Sequence, residues 1–366
     1  MKITFLTASL GSGGAERVVS LLANRIAEMG HQIEIICLLY DDVYYKTSPD
    51  VKLTIAVRIC PGNLVKRLFW LRNYVKTSGT NVCIAFTEGV YCATICALMG
   101  TRIPVIASER LDPHYMSWKR KLLKKIFLPH AAWLVVQTEY IKKYFHGSIA
   151  KKTSIILNPV NDKVYDIEPC NKENTIISVA RLFPQKRQEI LIKAFANIAE
   201  RFPEWKLVIY GEGPERESLE SLIESLSPTL PNREGELNIH KNRISSRILL
   251  PGRCETVIEE MNKAKIFAFS SDYEGLSNAM LEAVCVGLPI VSTKVSGTDE
   301  LIRDGVNGYV VNLGDTDALA NALERLMTDE TKIQSFSLES RNLAEKFRMD
   351  NIVEEWLSLI RKVCDA

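Results

Sequence analysis

The chain opens with Lys2-Ile3-Thr4-Phe5-Leu6-Thr7-Ala8-Ser9-Leu10-Gly11-Ser12-Gly13-Gly14-Ala15-Glu16-Arg17-Val18-Val19-Ser20-Leu21-Leu22. Residues 3–6 form a short apolar run suited to a buried strand, and glycines follow at once. Val18, Leu21, Leu22 and Ile26 then recur at helical spacing. Strand, glycine turn and helix in this order make the first unit of a parallel sheet covered by helices.

The same alternation continues along nearly the whole chain, so the fold class is α/β. In the first half the strand candidates are residues 3–6, 33–38, 82–86, 105–107, 134–137 and 154–157. A polar connection follows Asn158-Pro159-Val160, and a second series begins with residues 176–180, 207–210, 248–250, 266–270 and 289–292. At 366 residues the chain exceeds the roughly 250–300 at which single cores stop growing. The expectation is a Rossmann-like domain over 1–160, a second over 161–348, and a cleft across which they face each other. A helix over 349–366, apolar on one face through Ile352, Val353, Trp356, Leu359, Ile360 and Val363, is expected to pack back on the first domain. Residues 225–246 have no clear period and read as a surface excursion.

Composition removes several function classes. Hydrophobic residues make up 46% of the chain and charged residues 25%, enough apolar material for two cores. A net charge of +2 gives no concentrated basic face for nucleic acid. The nine cysteines are scattered and contain no CxxC pair or Cys/His cluster at zinc spacing, which fits free thiols in a reducing cytoplasm. The glycine turn comes too early for a secretory signal, and no run reaches the ~18 uninterrupted apolar residues of a membrane span. A cytoplasmic chain is expected, in solution or peripheral at the inner face of the membrane.

Four motifs carry chemistry. At Gly13 and Gly14 the backbone can approach a ligand closely, and a helix N-terminus offers amides to an anion or to sugar hydroxyls. Gly211-Glu212-Gly213-Pro214 repeats the device after the strand at 207–210. Tight packing alone would also explain either turn. In Asp272-Tyr273-Glu274-Gly275-Leu276-Ser277-Asn278-Ala279-Met280-Leu281-Glu282, Ser277 is a candidate N-cap. That puts Glu282 on the second helical turn and Glu274 in the loop above it. Dipole pairing by Glu274 and a solvated Glu282 are the plain alternative. Arg181 and Lys186, in Arg181-Leu182-Phe183-Pro184-Gln185-Lys186, end the first strand of the second half, where two cations can converge on a diphosphate.

Together these residues resemble the retaining glycosyltransferases of family 4, which have the GT-B fold, along essentially the full length. Glu274 and Glu282 fit the family's E-x7-E motif, Arg181 and Lys186 its phosphate-binding pair, and residues 11–17 its N-terminal glycine loop. Residues 211–214 and 296–302 also resemble family signatures. The resemblance implies a nucleotide-diphosphate sugar donor, UDP by family frequency, with Glu282 on the ribose, Glu274 near the sugar, and amides of Gly275, Leu276 and Ser277 on phosphate. It also implies catalysis with no cofactor and no metal. Where many relatives carry a histidine, this sequence has Ala107-Ser108-Glu109-Arg110, so Glu109, Arg110 and Glu16 are named only as candidate acceptor or sugar contacts. Residues 108–113 resemble enzymes that add hexoses or N-acetylhexosamines to lipid-linked oligosaccharides, so the expected acceptor is a polyprenyl-diphosphate-linked glycan.

Residues 65–72 and 118–127 are basic and amphipathic. In the second, Trp118, Leu122, Leu123, Ile126 and Phe127 share a face while five cations take the rest, as for a helix on an anionic membrane. Such a stripe can equally be core, with its lysines solvated. Two rival functions remain: a sugar-nucleotide epimerase of the same architecture, and a non-catalytic sugar-nucleotide-binding protein.

Overall fold

A computed structural model describes residues 1–168, 170–226 and 244–365. Most of the expected excursion over 225–246 therefore lies outside the described residues. The chain divides into two compact units, Met1–Asn161 with Phe347–Ala366, and Asp162–Lys346.

The first unit holds a seven-stranded parallel sheet of β1 (Lys2–Thr7), β2 (Gln32–Cys37), β3 (Val51–Ile55), β4 (Val82–Phe86), β5 (Val105–Ser108), β6 (Trp133–Val136) and β7 (Thr153–Ile155), in the order β3-β2-β1-β4-β5-β6-β7. The second holds β8 (Thr175–Val179), β9 (Lys206–Tyr210), β10 (Ile248–Gly252), β11 (Ile266–Phe269), β12 (Ile290–Thr293) and β13 (Gly308–Val311), in the order β10-β9-β8-β11-β12-β13. Helices cover both faces of such a sheet, which is why central strands such as Val82-Cys83-Ile84-Ala85-Phe86 are buried at every position. Strand order reverses between β1 and β4 and again between β8 and β11.

Eleven strands fall where the sequence places them, within a residue or two. The two that sequence reading misses, β3 and β13, are sheet edges. An edge strand is covered less completely, so Lys52 and Thr54 interrupt the apolar run of β3.

The last helix, Met349–Cys364, buries Ile352, Val353, Trp356, Leu359, Ile360 and Val363 in one core cluster with Phe5, Val19, Leu22 and Phe86. Trp356 stacks on Phe86 with ring centroids 6.0 Å apart. Arg25 ties the start of this helix to the first helix of the unit through Asp350 at 2.7 Å.

Trp356 is fully buried, so Trp356→Ala is expected to destabilise the first unit by about 3–5 kcal/mol. Trp356→Phe should cost less, because the indole N–H has no partner and its removal leaves no polar group stranded. Urea unfolding of the full chain checks this, and an unmoved midpoint for Trp356→Ala would show the helix to be peripheral.

Candidate active site

In the second unit the sequence motifs gather at the carboxyl ends of β8, β9, β11 and β12. The chain winds away from β8 and β11 in opposite directions, and the loops beyond such a pair diverge to leave the usual ligand crevice of an open parallel sheet. Lys186 ends the turn Pro184–Lys186 after β8, and its ammonium pairs with the Glu274 carboxylate in the loop after β11. Each side chain is 12% exposed, shielded yet within reach of a ligand.

Three hydrogen bonds hold the two loops together. The Asp272 N–H donates to the Gln185 carbonyl at 2.9 Å, the Ser270 hydroxyl to the Lys186 carbonyl at 2.9 Å, and the Gln185 amide to the Tyr273 carbonyl. Lys186 also stands 5.3 Å over the Phe269 ring, so its charge is held from two sides. The chain leaves the turn through Arg187 at φ 51°, a left-handed conformation that non-glycine residues adopt only where surroundings fix them. Arg181 is exposed, its guanidinium 4.8 Å over Phe183.

Ser277 caps the helix Asn278–Val286, its hydroxyl accepting the Met280 N–H at 3.3 Å. Gly275, Leu276 and Ser277 are buried as they lead into that helix, and segment 296–302 packs against them at Gly297. Glu282 lies on the second turn and is 4% exposed, which excludes the solvated-face alternative. Two cations and a helix N-terminus thus stand beside two carboxylates. The cations and amides suit a polyanion, and the carboxylates suit hydroxyl donors.

Gly211 and Gly213 answer first to the chain itself. Gly211 has φ 148°, and a side chain there would strike the Ala180 carbonyl; one on Gly213 would strike the Leu182 carbonyl. The Leu182 N–H donates to the Glu212 carbonyl at 2.9 Å and the Glu215 N–H to the Leu182 carbonyl at 3.1 Å. The turn thereby braces the loop that carries Arg181.

In the first unit, Gly13 caps the helix Gly14–Glu28 with no side-chain bond. The Glu16 carboxylate, at the third helical position, folds against Gly13, and the Asp42 carboxylate lies against Gly11. The Leu10 N–H donates to the Asp42 carbonyl at 2.9 Å. Asp42 stands in none of the four sequence motifs. Its place past the end of β2, next to β1 in the sheet, was the available signal. Two carboxylates make this loop a place for hydroxyl donors rather than for phosphate.

Glu109 and Arg110 follow β5 and are both buried. The Glu109 carboxylate accepts the Tyr91 hydroxyl at 2.9 Å and pairs with the buried Lys124 ammonium. It is therefore engaged within the unit. The Arg110 guanidinium lies 4.5 Å over the Phe86 ring and donates through one nitrogen to the Asn158 side chain at 2.6 Å. Burial lowers its pKa, with the neighbouring Glu109 charge opposing. Its Nε and second terminal nitrogen have no partner, so donors remain for a ligand. Gln137 donates to the same Asn158 oxygen at 2.6 Å. Neither amide has a motif around it, and only the fold brings them to Arg110.

Residues 12–164 match the family described as Glycosyltransferase Family 4, and residues 173–329 match Glycosyl transferases group 1. The chain is 30% identical over 378 residues, 100% of both proteins, to the GalNAc-alpha-(1->4)-GalNAc-alpha-(1->3)-diNAcBac-PP-undecaprenol alpha-1,4-N-acetyl-D-galactosaminyltransferase of Campylobacter jejuni. It is 26% identical to the N-acetylgalactosamine-N,N'-diacetylbacillosaminyl-diphospho-undecaprenol 4-alpha-N-acetylgalactosaminyltransferase of the same organism, over 98% of this chain and 99% of the relative. Among solved structures, Anabaena HepE in complex with UDP shares the fold with a TM-score of 0.80 at 20% identity, over 99% of this chain and 100% of that one.

Gly211→Ala is expected to destabilise the second unit by about 2–4 kcal/mol, from backbone strain and the collision with residue 180 together. Calorimetry of the full chain checks this, and a loss within error of zero would mean that the turn relaxes freely.

Proposed function

The chain belongs to glycosyltransferase family 4, with the GT-B fold, and from that premise we propose a metal-independent transferase that retains anomeric configuration. It moves a hexose or N-acetylhexosamine from a nucleotide-diphosphate sugar, UDP in our reading, to a polyprenyl-diphosphate-linked glycan in cell-surface polysaccharide or oligosaccharide assembly. The observation that carries this reading is the Lys186–Glu274 pair at the β8/β11 strand ends, beside the helix capped by Ser277.

As the anomeric carbon–oxygen bond breaks, its electron pair passes to the departing nucleoside diphosphate. Lys186, Arg181 and the amides of Gly275, Leu276 and Ser277 stabilise that growing charge more in the transition state than in the ground state. Two side-chain cations at the phosphates fill the place that a divalent ion would otherwise take. Glu274 holds hydroxyls of the transferred sugar and Glu282 those of the ribose. The acceptor hydroxyl attacks from the face the diphosphate leaves, and its proton passes to a phosphate oxygen. This differs from the two-carboxylate scheme of retaining hydrolases.

Glu16 and Asp42, over the glycine loop of the first unit, supply acceptors for glycan hydroxyls, and the buried, unpartnered donors of Arg110 serve an anionic group of either substrate. The lipid-linked acceptor draws support from the two Campylobacter jejuni relatives, whose names specify undecaprenol-linked acceptors. Among the described residues no helix is long and apolar enough to cross a membrane, so a lipid-linked substrate is met at a surface. The exposed apolar residues Val65, Phe69, Trp118, Leu122 and Ile126 support an anionic membrane as that surface.

Nucleotide release from a panel of UDP- and GDP-sugars, with membrane lipid extract as acceptor and chelator present, tests the reading. Release should occur with one donor, depend on acceptor, and fall by about a hundredfold to a thousandfold in kcat in Lys186→Ala and Glu274→Gln. Release without acceptor and with an epimerised sugar would favour the epimerase. Tight binding with every donor intact would favour the non-catalytic protein.

A further inference from the structure

The segment after β2 carries an aromatic surface at the same strand ends as the glycine loop. Tyr40 is 63% exposed, Val43 45% and Tyr44 46%, three large apolar side chains within five residues. Exposed apolar residues scattered singly are ordinary, whereas a contiguous patch marks a contact surface. A loose loop is not the cause of this exposure. The Tyr40 N–H donates to the Ala8 carbonyl at 3.0 Å, the Leu10 N–H to the Asp42 carbonyl at 2.9 Å, and the Tyr44 and Tyr45 N–H groups to the Leu10 carbonyl at 2.8 and 3.1 Å. Further along, the Ser20 hydroxyl donates to the Lys46 carbonyl at 2.9 Å and the Ser48 N–H to the Asn24 side-chain oxygen at 2.8 Å. The segment is thus tied to the loop after β1 and to the first helix.

Tyr45 sets the angle of the Tyr44 ring, with centroids 5.1 Å apart and planes at 86° in an edge-to-face pair. Val43 pairs with Leu10 as in a parallel sheet. Residues on either side of a paired strand position share a face about 7 Å apart, so Asp42 and Tyr44 come within reach of one sugar. The Asp42 carboxylate lies against Gly11 and that of Glu16 against Gly13, while Asp41 is occupied by Arg58 at 2.7 Å. A flat apolar ring beside carboxylate acceptors suits a pyranose, whose C–H face is apolar and whose rim carries hydroxyl donors. The carboxylates repel phosphate and oppose insertion into an anionic bilayer. A nucleobase also presents a flat face, but the diphosphate attached to it would then sit among like charges.

We propose that Tyr44 stacks under a neutral sugar ring of the acceptor glycan, with Asp42 accepting hydroxyls at the rim of that ring, so that this segment selects the acceptor. Stacking needs the ring face of the tyrosine and not its hydroxyl. It contributes to glycan affinity without touching the diphosphate chemistry of the second unit. The inference deepens the proposed function and rests on its glycan acceptor, not on its membrane surface.

Saturation-transfer NMR of the purified full chain tests it, with a panel of neutral disaccharides of glucose, galactose, N-acetylglucosamine and N-acetylgalactosamine. At least one should bind the native chain, and Tyr44→Ala should weaken that binding by about tenfold to thirtyfold, the loss of one stacked ring face. Tyr44→Phe keeps the face and should stay within about threefold of native. Tyr44→Leu keeps apolar bulk without the face and should lose nearly as much as Tyr44→Ala. UDP affinity, read by calorimetry, should be unchanged in all three. Absence of disaccharide binding, equal affinity in the native and Tyr44→Ala chains, rescue by Tyr44→Leu, or weakened UDP binding would each overturn the site. If Tyr44→Ala fails to fold, the contrast between Tyr44→Phe and Tyr44→Leu decides. Sugar transfer to acceptor in the membrane lipid extract is measured on the same preparation. Transfer with disaccharide binding unmoved by Tyr44→Ala defeats this inference alone, and ring-dependent disaccharide binding without transfer defeats the transferase reading alone.

Discussion

In a wholly parallel sheet every strand points its carboxyl end the same way, and the rest of this structure depends on that constraint. Both faces are buried under helices, so ligand chemistry is left to the loops at the strands' carboxyl ends. The chain uses those ends twice. In the second unit, residues 88 positions apart in sequence become ion-pair partners, Lys186 with Glu274, because β8 and β11 are neighbours in the sheet. Glycine at 211 then follows from the same crowding: β9 delivers its turn so close to Ala180 that no side chain fits.

Much of this was legible in the sequence because strand and helix periods are local. Ser277 as a cap, Glu282 on the second turn and the strands of both sheet centres come from patterns a few residues long. What stayed hidden depends on non-local placement. β3 lacked an apolar run because Lys52 and Thr54 interrupt it at a sheet edge, and β13 offered only the three apolar residues Tyr309, Val310 and Val311. Asp42, Gln137 and Asn158 have no motif around them, and only tertiary folding brings them to Gly11 and Arg110. Glu109 read as a candidate ligand contact, yet its partner Lys124 is fifteen residues away on a helix whose lysines looked solvated.

That helix shows how charge can overrule hydrophobic pattern. Burying a carboxylate without a partner is far more costly than exposing a leucine, since an exposed leucine forgoes only its transfer free energy, about 1.5–3 kcal/mol. Glu88 and Glu109, buried at and just past the ends of β4 and β5, demand cations, and Arg120 and Lys124 supply them. The orientation of the helix is set by those demands, and its apolar stripe is turned outward as a consequence. Residues 64–77 follow the same logic: Arg67 and Arg72 reach back to main-chain carbonyls, at 2.9 Å to Leu38 and 2.7 Å to Ala97, while Phe69 is left 67% exposed.

The two units use one backbone device with different electrostatics. Each places a glycine-bearing loop or a helix N-terminus at the strand ends where the sheet order reverses. In the second unit the neighbouring side chains include Lys186 and Arg181, and in the first they are Glu16 and Asp42. A helix N-terminus flanked by cations is selective for phosphate, whereas one flanked by carboxylates repels phosphate and leaves hydroxyls as the favoured guests. The proposed transfer uses this asymmetry, since the donor's diphosphate gains negative charge as it leaves and the attacking group of the acceptor is a neutral hydroxyl. The same fold repeated twice thus presents two different electrostatic settings at its strand ends.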